Sequence, residues 1–299
     1  MIKKPFALLL VVCTLSLIIS AQTSAAQAKP GATGANAAAK SPSKDDVEAA
    51  LKRTLGYDPA TTWVIYDIRP SVIPGVSDVL VSLNKQDPMH IYWDANGQNA
   101  IIGQILPFGT DPYAQIRAVL AAADGPAQGP QNPAIVMVEF SDLECPHCKA
   151  AQPIAEKLAA DFPQVRYVFQ QFPLPASMHP WALKAAEYAD CVSRLSPSNF
   201  WKYIDAVFAN QASIAAATAE DKLKEFAGTL GLDAAKISSC ASLPQTEARI
   251  KKSQELGNSL DVNQTPTLFM NGRRVLGLAD IPYDQLKNLV QFEMNHAGK

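Results

Sequence analysis

Residues 135–160 read IVMVEFSDLECPHCKAAQPIAEKLAA, and this stretch decides the fold. The apolar run at 135–138 is typical of a buried strand. It leads to two cysteines that are separated by a proline and a histidine. From Pro146 onward the apolar residues recur at helical spacing, and proline suits the first position of a helix, where no amide hydrogen is needed. The pattern therefore predicts a strand followed by a helix that begins directly after Cys145.

The position of Cys145 at a helix start predicts its chemistry. Backbone N–H donors and the helix dipole favour a thiolate there. His147 can add a positive charge or a hydrogen bond to the same anion, and Cys148 lies one turn further in, more covered. An exposed thiolate attacks or leaves easily, and a neighbouring thiol resolves the mixed disulfide. The layout indicates thiol–disulfide exchange.

Three other uses of a CxxC pair fit less well. Haem attachment requires histidine directly after the second cysteine, where Lys149 stands. A tetrahedral zinc site needs four ligands, and the chain has four histidines and no second CxxC. A purely structural disulfide this short would restrain almost no chain. Redox activity is favoured over these three, and no metal site is expected.

The run VEFSDLECPHCKAAQPIAEKL resembles the active-site strand and helix of the thioredoxin superfamily, and Pro-His between the cysteines is the dipeptide of its DsbA-like group. Pro153 stands where such helices carry a kinking proline, and Glu139 matches the buried acidic residue implied in proton transfer. Thr265-Pro266-Thr267 resembles the cis-proline loop that faces the cysteines. The resemblance covers about 134–298. It implies catalytic roles for Cys145, Cys148, His147, Pro146 and Glu139, and substrate binding by Thr265 and Pro266.

The fold class expected is α/β: a thioredoxin fold with a helical insertion, preceded by a small α+β domain. Between a second strand at 165–170 and a hairpin at 267–277 lie about 90 residues of helix-like sequence, too long for a loop. DsbA-like proteins carry a helical insertion in this place, so one is expected at about 175–255 of the domain 134–299. A stripe of apolar residues is expected to form its core: Phe200, Tyr203, Ile204, Val207 and Phe208.

Two further cysteines, Cys191 and Cys240, fall in the expected insertion, 49 residues apart. If Cys145 and Cys148 form the reactive pair, these two are left for each other. A bridge closing such a loop would stabilise the fold by roughly 3–4.5 kcal/mol in the chain-entropy model. We predict a structural disulfide; the alternatives are two buried free thiols and a second redox pair.

The N-terminus predicts export. Residues 1–28 combine two early lysines, a 14-residue apolar run at 6–19 and a small-x-small site at 26–28, which together are typical of a signal peptide. The run is shorter than the roughly 20 residues of a spanning helix; an uncleaved anchor is the alternative. The mature protein is expected to be soluble and periplasmic or otherwise exported, where disulfides persist.

The rest of the chain divides into linkers and an accessory domain. Residues 29–43 are small and polar and predict a flexible linker, and 124–133 hold three prolines and two glycines and predict a second linker. Between them, 44–123 predict a small α+β domain with a hairpin turn at Asn96-Gly97. The stretch HIYWDANGQNAIIGQIL resembles the short hairpin of the DsbC/DsbG dimerisation domain, which implies a homodimer through 44–123.

Composition excludes little beyond disorder and nucleic acid. Hydrophobic residues make up 48% of the chain and charged residues 18%, with a formal net charge of −2. No basic cluster suggests a nucleic-acid partner. The lone histidine of the accessory domain, His90, is expected to be structural or exposed.

The DsbA-like resemblance implies an enzyme that introduces disulfides into reduced or unfolded client proteins. It implies no cofactor besides the redox-active Cys145–Cys148 disulfide. A membrane quinone-linked partner, of the DsbB or vitamin K epoxide reductase kind, would reoxidise the enzyme. The alternatives are a dimeric disulfide isomerase or reductase of the DsbC/DsbG kind, and a client-binding or chaperone-like module without catalysis.

Overall fold

The structure is a computed structural model that describes residues 41–55, 59–94, 99–103 and 111–296. The expected signal peptide, the linker up to residue 40 and the Asn96-Gly97 turn lie outside these residues. Contacts group the chain into two units, residues 1–105 and 106–299. Over the described ranges, no helix has the length and apolar character needed to cross a bilayer.

The first unit is a helix on a four-stranded antiparallel sheet, which agrees with the α+β prediction. Val47 and Leu51 lie one turn apart on the helix and are buried with Val79, Val81 and Ile91 of the sheet. Alternate residues of a strand point to the same face of a sheet, so that Val79, Val81 and Ile91 can pack together against the helix. The elements are α1 Lys44–Leu55, β1 Trp63–Pro70, β2 Val76–Leu83, β3 Met89–Asp94 and β4 Ala100–Ile102, in the sheet order β1-β2-β3-β4.

The boundary between the units lies earlier than the linker predicted at 124–133. The helix α2, Ala114–Leu120, belongs to the second unit, where Leu120 is buried with Val138 of the central sheet. The short strand β5, Ala127–Gln128, pairs with that sheet at its edge. A proline-rich segment can run along a sheet edge because only its inner side needs backbone donors. The end of the predicted accessory domain and most of the predicted linker are therefore part of the larger fold.

The second unit is built on a five-stranded mixed sheet in the order β5-β7-β6-β8-β9. β6 and β7 are parallel, β8 runs antiparallel to β6, and β9 runs antiparallel to β8. The helices α3 and α9 cover one face, where Ala155, Leu158 and Leu286 are buried against Met137. The elements are β6 Ile135–Ser141, α3 Pro146–Asp161, β7 Val165–Gln171, β8 Thr267–Met270, β9 Arg273–Leu276 and α9 Tyr283–His296.

A helical insertion joins β7 to β8, as predicted. The expected apolar stripe at 200–208 is buried in its core. The structure joins Cys191 on its first helix to Cys240 on its fourth by a disulfide, the pair expected from the sequence. The helices are α4 Ala182–Leu195, α5 Phe200–Ala209, α6 Ala219–Thr229, α7 Ala234–Ala241 and α8 Pro244–Ser259.

Candidate active site

Cys145 is the N-cap residue of α3, with an extended backbone (φ −73°, ψ 122°) and Pro146 at the first helical position. Its Sγ lies 3.3 Å from the backbone oxygen of Thr265. The residue is 4% exposed, whereas the sequence suggested an exposed thiol. The loop before β8 covers the sulfur, and sequence alone does not show which distant loop lies over a helix start.

The two cysteines are free thiols with opposite tendencies to ionise. The pKa of Cys145 is lowered to about 5, mainly by a hydrogen bond from the thiol of Cys148. Burial opposes the shift, while Thr265 and the backbone amides of Cys148 and His147 contribute to it. Burial raises the pKa of Cys148 well above its usual value, and the charge of Cys145 adds to this. One sulfur is therefore an anion at neutral pH and the other keeps its proton.

His147 acts through its backbone rather than its ring. Its amide is among the groups that lower the pKa of Cys145, and both His147 and Pro146 are exposed on the first turn of α3. The sequence analysis expected the imidazole to supply a charge or a hydrogen bond. The amide takes that place because the first amides of a helix point at its N-cap residue.

Glu139 is completely buried on β6, where its Oε2 accepts a 2.6 Å hydrogen bond from the hydroxyl of Tyr167. Burial raises the pKa of Glu139, and the hydrogen bond from Tyr167 opposes the shift. Its charge is one of the causes that raise the pKa of Cys148. The carboxyl group is thus coupled to the more buried of the two thiols, the arrangement expected of a proton acceptor for that sulfur.

The Thr265–Pro266 peptide bond is cis, and the loop that contains it faces Cys145. The position follows from the topology: β8 begins at Thr267, which pairs with Phe140 on β6. The turn before β8 and the turn after β6 therefore meet at the same end of the sheet. The structure brings the predicted catalytic and substrate-binding residues together at this end.

Two residues that the sequence analysis did not select also hold the site. Asp142 is buried, and its backbone N–H donates to Sγ of Cys148 at 3.3 Å. Gln211, from a turn after α5, donates through Nε2 to the backbone oxygens of Leu143 and Cys145, at 2.8 and 3.1 Å. An aspartate three residues before the first cysteine, directly after an apolar strand, is the sequence signal that could have pointed to Asp142. No sequence signal places Gln211 there, 66 residues from Cys145.

Comparisons with known proteins identify the fold family. Residues 122–291 match the Thioredoxin_4 profile, described as thioredoxin. The chain belongs to the thioredoxin family. The match spans β5 to α9 and includes the whole candidate site of this thioredoxin-family protein.

Solved structures agree on the fold of this thioredoxin-family chain. Oxidised BdbD from Bacillus subtilis superposes with a TM-score of 0.52 at 21% identity, covering 57% of this chain and 93% of that one. The thiol-disulfide exchange protein alpha-DsbA2 from Wolbachia pipientis gives 0.53 at 21% identity, covering 61% and 94%. The catalytic domain of Proteus mirabilis ScsC gives 0.51 at 21% identity, covering 63% and 99%.

Curated relatives match about half of the chain. The Na(+)/H(+) antiporter NhaA 3 of Salinispora tropica is 31% identical over 176 residues, which are 54% of this chain and 26% of that protein. NhaA 1 of Salinispora arenicola is 30% identical over 183 residues, 57% and 27%. The chain spans about a quarter of the length of these relatives.

The prediction of a thioredoxin-superfamily protein is confirmed by the family match, and the solved structures share its fold. Within the described ranges, no group of three or more histidine, cysteine, aspartate or glutamate side chains could hold a metal ion.

Proposed function

We propose that the protein introduces disulfides into reduced client proteins by thiol–disulfide exchange at Cys145 and Cys148. The observation that carries this proposal is the opposite ionisation of the two sulfurs. A pKa of about 5 at Cys145 stabilises the reduced enzyme at neutral pH, because the thiolate is favoured over the thiol. A couple whose reduced form is stabilised is an oxidant.

The exchange balances as follows. A client thiolate attacks Sγ of Cys145 in the oxidised enzyme, so that a mixed disulfide forms and the bond between Cys145 and Cys148 breaks. Cys148 leaves as a thiolate and takes a proton, and we assign the role of donor to Glu139, whose charge is coupled to that sulfur. A second client thiolate then attacks the client sulfur of the mixed disulfide and expels Cys145 as a thiolate. Two electrons pass from the client dithiol to the enzyme disulfide.

The loop at Thr265 and Pro266 is the proposed client-binding site. It lies against Cys145, with the Thr265 oxygen 3.3 Å from the sulfur, so an extended client chain next to this loop would present its own sulfur to Cys145. The reduced enzyme then needs an electron acceptor. We assign this role to a membrane quinone-linked partner of the DsbB or vitamin K epoxide reductase kind, on the exported side that residues 1–28 predict.

The test is oxidation of reduced, unfolded ribonuclease A by the oxidised protein. We expect recovery of ribonuclease activity together with one equivalent of reduced Cys145–Cys148 per client disulfide formed. The Cys145→Ala variant should be inactive. A wild-type protein that leaves reduced ribonuclease unchanged, while its own disulfide stays intact, would refute the oxidase proposal.

A dimeric isomerase is the second candidate, favoured by the edge of the first unit. β4 has three residues, and Ile101 and Ile102 on it are 70% and 65% exposed. Exposed apolar residues on an edge strand invite pairing with another strand. The solution mass and activity on scrambled ribonuclease test this candidate. A dimer should dissociate in the Ile101→Lys variant and persist in Val72→Lys, which charges an exposed loop; a wild-type monomer that is inactive on scrambled ribonuclease would exclude the isomerase.

A further inference from the structure

The carboxylate of Asp142 organises the turn between β6 and α3. Its side chain has no exposed surface. Its Oδ1 accepts a hydrogen bond from the amide of Glu144 at 2.7 Å. Its Oδ2 accepts one from the amide of Leu174 at 2.8 Å and lies 2.7 Å from Nδ1 of His179. The carboxylate thereby joins three separate segments: the active-site turn, the strand end after β7 and the approach to α4.

The backbone of Asp142 contacts both cysteines. Its N–H donates to Sγ of Cys148 at 3.3 Å, and its oxygen accepts from the amide of Cys145 at 3.1 Å. A change in the position of Asp142 would therefore move both sulfurs. A buried carboxylate is stable only when it is hydrogen-bonded and its charge is compensated.

His179 supplies the compensating charge. Its side chain is 15% exposed. Partial burial lowers the pKa of His179, but the hydrogen bond and charge of Asp142 and the charges of Cys145 and Glu144 together raise it by more. The imidazolium therefore contacts the carboxylate of Asp142, and its charge interacts with the charges of Glu144 and Cys145. The sequence analysis expected the ring of His147 to supply a positive charge to the site, but that residue is exposed.

We propose that His179 is a positioning residue of the thiol chemistry: its imidazolium balances the buried Asp142 carboxylate and favours the anionic form of Cys145. The inference deepens the proposed function, since it rests on Cys145 being the reactive thiolate. Two charges that stabilise each other do so reciprocally. The charge on Cys145 must therefore hold the proton on His179 to the same extent that the charge on His179 holds the thiolate.

Reciprocity gives a direct test on the native histidine. The ring carbons of all histidines are followed by NMR against pH in the reduced wild-type protein and in the Cys145→Ala variant. Loss of the thiolate should lower the midpoint of His179, by the order of one pH unit for charges at close range. His90 is the matched reference, because its Nδ1 also lies 2.7 Å from an aspartate, Asp78, in the other unit; its curve should be the same in both proteins. Equal midpoints for His179 in the two proteins would overturn the inference.

A substitution tests the same coupling from the sulfur side. His179→Gln keeps a donor for Asp142 but removes the charge, so the thiolate midpoint of Cys145, read by absorbance at 240 nm, should rise by the same amount. His90→Gln should leave it unchanged. A folded His179→Gln protein with an unchanged thiolate midpoint would contradict the proposal, and if this variant does not fold, the comparison on native His179 decides. If the midpoint of His179 differs between the two proteins as expected, but the wild-type protein does not oxidise ribonuclease, only the proposed function is refuted.

Discussion

The reduction potential of the Cys145–Cys148 couple should change its slope with pH near pH 5. Reduction takes up two electrons and, where both sulfurs are protonated, two protons, so the potential should fall by about 59 mV per pH unit. Above the pKa of Cys145, about 5, the reduced form keeps one proton, on Cys148, and the slope should halve to about 30 mV per pH unit.

The ionisation of Cys145 also stabilises the folded, reduced protein, and the size of this stabilisation follows from the shift in pKa. The pKa of Cys145 is lowered from an ordinary value of 9.0 to about 5 on folding. The stabilisation of the reduced protein is therefore complete above pH 9 and is lost as the pH falls through 5. At pH 7, two units above the folded value, it amounts to about 3 kcal/mol, which makes the couple about 60 mV more oxidising than one with an ordinary thiol.

The assay is equilibration with reduced and oxidised glutathione from pH 4 to 8, followed by acid quenching and mass spectrometry of the alkylated protein. Absorbance at 240 nm on the reduced protein gives the thiolate midpoint independently, and the Cys148→Ala variant shows how much of the shift depends on the neighbouring thiol. A slope of 59 mV that persists to pH 8, together with a thiolate midpoint near the ordinary 9.0, would refute the reasoning and would favour a client-binding module without catalysis.

Three further predictions concern the surroundings of the two sulfurs. Glu139→Gln should raise the free energy of unfolding in urea at pH 8, since burial raises the pKa of Glu139, and the gain should vanish below pH 4.5; a loss of stability at pH 8 would contradict this. Replacing Cys191 and Cys240 by alanine should destabilise the protein by about 4 kcal/mol, because the bridge closes a loop of 49 residues; thermal unfolding measures it, and an unchanged midpoint would show that the bridge restrains nothing. Gln211→Ala, which removes two hydrogen bonds to the active-site turn, should cost about 1–2 kcal/mol and shift the thiolate midpoint. Gln254→Ala, which removes one distant bond, should affect stability only.

Local sequence was sufficient for the features that depend on neighbours along the chain. Pro146 directly after Cys145 predicted the helix start, and the structure has Cys145 as N-cap residue. The apolar stripe at 200–208 predicted a buried face, because its spacing matches one side of a helix. The resemblance to DsbA-like proteins added the positions of Glu139 and the Thr265-Pro266 loop, which no periodicity indicates.

Features that depend on distant segments could not be predicted. The cover over Cys145 comes from Thr265, and the charge that balances Asp142 comes from His179, after β7. The helix α2 was assigned to the first domain because a proline-rich stretch follows it. Its apolar edge fits the central sheet through Leu120, a complementarity that appears only in three dimensions.

Because Cys145 is almost completely covered, the ionisation of its thiol does not by itself make the sulfur accessible to reagents. Cys145 is an anion at pH 7, but the residue is only 4% exposed, so it should discriminate among reagents by their width. A slender alkylating agent such as iodoacetamide should react at a rate that follows the thiolate fraction, whereas a bulky aromatic disulfide should react far more slowly than that fraction implies. Folded proteins would be turned away in the same manner, so that only a flexible, unfolded chain could thread its cysteine to the sulfur.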